Sequence, residues 1–192
     1  MKKIFYIMFL ILPISACAPM VTQSPGDGLS PVNAVSENED KHLMLFGHDV
    51  VNYFTDATHA KGLPTIKSIY KNVTFRFVNA EHKALFDQNP EKYIPQYGGY
   101  CANGIVYGIP WGGDVDMWMI KLDKLYIFGG QGSKDAFMLS PDKNLELADK
   151  YWNEEVNGSN AFFQRTKRLI FKVPHYKSGQ QLADEVAAAK TK

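Results

Sequence analysis

Cysteine is nearly absent from this sequence. Only Cys17 and Cys101 carry a thiol in 192 residues, which excludes the disulfide framework that staples many small secreted domains. A surplus of one charge is missing too. Lys and Arg number 21 against 20 Asp and Glu, for a net +1, and that balance gives no electrostatic reason to expect nucleic acid as a partner. There is no phosphate-binding Gly-rich loop, no CxxC or HExxH pair and no internal repeat, so the common signatures of enzymes and metal sites are lacking. The longest apolar run, residues 4–14, covers about ten residues, whereas a helix that crosses a bilayer needs ~20. What the chain does have is 45% hydrophobic and 13% aromatic residues, enough to build one real core.

The N-terminus reads as an export signal, with Lys2 and Lys3 as the positive region and residues 4–14 as the apolar region. It ends in Ile14-Ser15-Ala16-Cys17, which resembles the bacterial lipobox, in which an aliphatic and two small residues precede the cysteine that is acylated. Cleavage after residue 16 would leave Cys17 as the lipidated first residue, with Ala18 behind it. By resemblance to Gram-negative lipoproteins, that residue favours the periplasmic face of the outer membrane. Processing removes two lysines and no acidic residue, so the net charge moves from +1 to −1. Two or three acyl chains, at ~0.8 kcal/mol per buried methylene, form a durable anchor. Residues 17–40 are polar and rich in Pro, Gly and Ser, and read as a flexible tether.

Past the tether the pattern predicts an α+β fold. Ser68-Ile69-Tyr70 and residues 73–78 read as a hairpin turning at Lys71-Asn72. Residues 79–89 read as a helix capped by Asn79 and stopped by Pro90. A Gly-, Pro- and aromatic-rich loop occupies 93–113. A second hairpin joins 117–121 to 125–128 through Leu122-Asp123-Lys124. Ser133 is placed to cap a helix that enters 136–139, Pro141-Asp142 to open another through Trp152, and the run from Gln180 on reads as a terminal helix or a frayed tail.

Four segments in this order resemble the YHS domain family in its envelope branch. They are residues 47–54 (Gly47-His48-Asp49-Val50-Val51-Asn52-Tyr53-Phe54), the hairpin and helix from Tyr70 to Phe86, the run 90–102 that contains Gly98-Gly99-Tyr100-Cys101, and Trp118 with Lys124-Leu125-Tyr126. The resemblance implies a small domain of two β-hairpins with short helices over 41–128, extended by a mainly helical region, 129–192, that packs on the same domain. It also implies a link to metal handling. The compact metal-linked members carry a Cys-Gly-Met that this chain does not have.

Cys101, His48 and Asp49 are the candidate metal ligands. With Cys17 acylated, Cys101 is the one remaining thiol, and it is either a buried, inert side chain or present for its chemistry. As a thiolate it suits Cu or Zn, as Cu(I) or Zn(II). His48 beside Asp49 can serve as ligand, base or loop cap, and an aspartate there commonly caps a turn. Met117 and Met119 share one strand face and are either thioether ligands or core. His59, His82 and His175 read as solvated. The leading expectation is a non-enzymatic lipoprotein that binds a metal. The alternatives are a thiol-dependent enzyme, with Cys101 as nucleophile and His48 as base, and an accessory lipoprotein that binds an envelope partner through aromatics such as Phe162, Phe163 and Phe171.

Overall fold

The computed structural model describes residues 22–23 and 28–191. The proposed signal segment and Cys17 lie outside the described residues. The fold is α+β, with its strands in two sheets. The larger sheet holds β1 (Thr22–Gln23), β2 (Val32–Glu37), β3 (Asp40–Met44), β4 (Leu63–Tyr70) and β5 (Val73–Phe77), in the order β1-β2-β3-β5-β4. All neighbours pair antiparallel except β3 and β5, where Leu43 lies opposite Thr74 in a parallel register. The β4–β5 turn holds Lys71 and Asn72 at φ 47° and 61°, the left-handed pair that a two-residue hairpin turn requires.

Strand β2 corrects the tether boundary. Val32 and Ala34 are fully buried, and the Asn33 amide donates to the Gly99 carbonyl at 3.0 Å, so the folded domain begins well before residue 41. A short strand bordered by Pro, Gly and Ser shows no sustained apolar period, which hid it. Asn52–Thr55 forms a helical turn, α1. Helix α2 (Ala80–Gln88) has the expected cap, with Asn79 Oδ1 accepting from the His82 amide at 2.7 Å. Pro90 does more than stop it, since it opens a further turn, α3 (Pro90–Tyr93), at the position where a missing N–H costs nothing. The stretch that follows is packed, as its composition suggested, and includes the short helix α4 (Ala102–Ile105).

The second sheet is the ribbon of β6 (Asp114–Lys121) and β7 (Lys124–Phe128), and it organises the interior. Along β7, Leu125 and Ile127 join one apolar cluster, with Phe75, Phe77 and Phe86 from the large sheet and α2. Tyr126 and Phe128 join the other, with Tyr100, Ile105 and Phe137. The period of two sends alternate side chains to opposite faces, so one strand walls both clusters. Trp118 packs against the first cluster, and Met117 and Met119 pack against the second. The methionine pair is therefore core.

Four helices complete the second cluster: α5 (Gln131–Met138), α6 (Pro141–Tyr151), α7 (Ala161–Ile170) and α8 (Gly179–Lys190). Phe137, Leu145, Ala148, Tyr151 and Ala161 are buried there. Ser133 lies inside α5, not at its cap, because the helix already starts at Gln131. The terminal residues form a helix with a full capping box, Ser178 with Gln181.

Candidate functional site

The three candidate ligands stand in three different environments. Asp49 is fully buried and its carboxylate is engaged throughout. Oδ1 accepts from the amides of Val51 (2.8 Å) and Asn52 (3.3 Å), and Oδ2 accepts from the Val78 amide (2.9 Å) and pairs with His82 Nδ1 (2.8 Å). His82 is thus buried, contrary to the solvated position expected for it. His48 is half-buried, with Nδ1 3.0 Å from the Leu45 carbonyl and its ring 5.6 Å from that of His59, whose Nε2 is 3.1 Å from Asp116 Oδ1. Burial pushes the His48 imidazole below its ordinary value. Cys101 is 2% exposed, and its sulfur lies 3.2 Å from the Ser133 hydroxyl. Among the described residues no group of three His, Cys, Asp or Glu side chains is arranged to hold a metal ion.

The Cys101–Ser133 pair instead backs onto a cavity. Cys101 directly precedes α4, its amide donates to the Trp111 carbonyl (2.9 Å), and its carbonyl accepts from the Ile105 amide. The 104–111 loop folds so closely on α4 that a Cβ at Gly104 would meet the Ile109 carbonyl oxygen at 2.6 Å, so glycine alone fits there. Between this loop, the start of α5 and α8 lies a cavity of about 500 Å³, within the range of small-molecule sites. Tyr107, Ile109, Trp111 and Tyr176 supply its aromatic and aliphatic wall. The Arg165 guanidinium stacks 5.7 Å from the Trp111 ring and donates to the Pro110 carbonyl, which fixes that wall from behind.

The opposite wall is α8. Gly179, Leu182, Ala183, Val186, Ala187 and Lys190 line the cavity, at intervals of three and one that place them on a single helix face. Small residues at 179, 183 and 187 leave the space open where larger ones would close it. The helix has no buried residue and is strapped by Lys190 to Asp135 at 2.6 Å. Lys177, also at the rim, is paired with Glu185 at 2.6 Å. Burial raises the Tyr107 phenol above its ordinary value.

Asn103 adds a polar group to this lining, beside Ser133, Lys177 and Lys190, and is 7% exposed. The sequence reading missed Asn103 and the α8 face. The 3-4 spacing in the Ala-rich terminus was the available signal for the latter, and nothing local marks the former.

Compared with protein-family models, curated proteins and solved structures, the chain matches none.

Proposed function

We propose that the chain is a lipid-anchored, non-enzymatic envelope lipoprotein whose YHS-like domain holds a small, neutral, largely apolar molecule in the cavity between α4 and α8. The observation that carries this reading is the cavity of about 500 Å³, walled mainly by Tyr107, Ile109, Trp111, Leu182 and Val186, with the Asn103 amide on its lining. Apolar walls supply affinity by area, and the amide can select a ligand that offers a carbonyl, hydroxyl or N–H in the matching place. Ser133 lines the cavity, and Cys101 packs behind it. The thiol has Ser133 as its hydrogen-bond partner, not an imidazole, which gives no support to a nucleophile-base pair. Metal binding through Cys101, His48 and Asp49 is set aside, since the Asp49 oxygens already serve four donors.

N-phenyl-1-naphthylamine, a neutral apolar fluorophore with one N–H, provides the test. The mature chain from position 17, carrying Cys17→Ser so that no acyl group is added, should bind it saturably at one site. Ala187→Phe fills the cavity from an exposed helix and should abolish binding while leaving the circular dichroism spectrum unchanged. Asn103→Leu should weaken binding about tenfold, the scale of one lost hydrogen bond. Equal titration curves for the wild type and Ala187→Phe would overturn the proposal.

A further inference from the structure

Helix α7 is built inside out. Its inward face carries Gln164 and Arg165, which are buried and bonded to the carbonyls of Gly108 (3.0 Å) and Pro110 (3.0 Å). Its outward face carries Phe162, Phe163 and Ile170 at 62%, 69% and 67% exposure, and Phe171, just past the helix end, is 68% exposed. An ordinary surface helix has the reverse arrangement. These aromatics therefore do not complete the core, and a contiguous apolar face of this kind marks a contact surface.

We infer that this face of α7 lies in the interfacial layer of the bilayer that holds the lipid anchor. The inference rests on the anchored-lipoprotein reading. Three features on the page select a membrane as the occupant. The first is chemistry: Phe and Ile project outward beside Lys172, which is exposed, and Lys167, which is half-exposed and paired with Glu155 at 3.1 Å, an arrangement that suits apolar insertion beneath phosphate headgroups. The second is reach. Residues 17 to 22 span at most roughly 18 Å when fully extended, and Thr22 is already paired with Asn33 in the sheet, which sets an upper limit on the distance between the acylated end and β1. The third is placement. Ser30, just before β2, lies beside the approach to α7, its carbonyl accepting from the Gly158 amide at 2.7 Å, three residues before the helix begins. The opposite sheet edge is β4, roughly 19 Å away at about 4.8 Å per strand.

The test uses the mature acylated protein in vesicles of phosphatidylethanolamine and phosphatidylglycerol, after mass spectrometry of the acyl group. A bimane label is placed at Phe163→Cys and, for comparison, at Ile69→Cys, an exposed position on β4 at 72% exposure. Brominated lipids should quench the label at 163 several-fold more than the label at 69. Equal quenching at the two positions in acylated protein would overturn the α7 contact while leaving the anchor intact, and the face would then belong to a protein partner. A mature chain without the acyl mass would overturn the anchor reading and this inference with it.

Discussion

The sulfur of Cys101 sits against the hydroxyl of Ser133, 3.2 Å away, in a site that excludes nearly all solvent. Removing it should cost the packing of one small side chain, so Cys101→Ala is expected to lower stability by about 1–2 kcal/mol. Cys101→Ser should cost about 1 kcal/mol or less, because the new hydroxyl meets that of Ser133 and does not face the desolvation penalty of a dry core. Urea unfolding of the two variants checks the order, and a Ser variant clearly weaker than the Ala variant would contradict it. Cysteine counting singled out residue 101, and the structure places it behind Ser133, which lines the cavity. Asn103, two positions on, left no mark in the sequence. What an amide faces depends on what folds around it, and the cavity that this one lines is also walled by the 104–111 loop and α8.

Elements were legible where the local chemistry is self-sufficient. The Lys71-Asn72 turn, the Asn79 cap and the Pro141 start each depend on a few adjacent residues, and each stands in the structure as expected. Strand β2 needs β3 alongside it. Asp49 caps helix α1 locally, as an aspartate there commonly does, and the same carboxylate also holds Val78 and His82 at the start of α2. One side chain therefore ties α1 to α2. Asp49→Asn keeps the shape but exchanges an acceptor oxygen for an NH2, which cannot serve the donors facing it. It should destabilise the protein by about 2–4 kcal/mol, measured by chemical denaturation, and amide exchange should quicken in α1 and the first turn of α2 together. A loss confined to one of the two elements would show that the carboxylate does not join them.

For the molecule as a whole, the response to acid should be set by a charge cluster that the sequence did not reveal. Arg76 is fully buried on β5 and reaches Asp40 (2.6 Å) and Glu37 (2.5 Å), while Lys67 holds the other Asp40 oxygen (2.5 Å). The Arg76 bond holds Glu37 below its ordinary 4.5. Burial alone would raise Asp40, but its bonds to Lys67 and Arg76 prevail and hold it below its ordinary 3.8. Carboxyls depressed in the folded state take up protons first in the unfolded chain. Their stabilisation is therefore complete above roughly pH 5 and is lost as the pH falls through about 4 and below. Denaturation midpoints should be flat from pH 7 to 5 and then fall. Arg76→Met should lower stability at neutral pH by about 3 kcal/mol, because it leaves the buried Asp40 carboxylate with Lys67 alone, and should flatten the acid limb. A limb as steep as that of the wild type would assign acid sensitivity to other groups.

The ribbon of β6 and β7 has a consequence for how the chain finds its alignment. Leu125 and Ile127 belong to one cluster, and Tyr126 and Phe128 to the other. Sliding β7 by a single position would send every one of these side chains to the wrong interior at once. A strand with one wet face can tolerate such an error on that face, but this one cannot. The hairpin is thus proofread from both sides, and neither half of the molecule can close around a misaligned ribbon without the other half rejecting it.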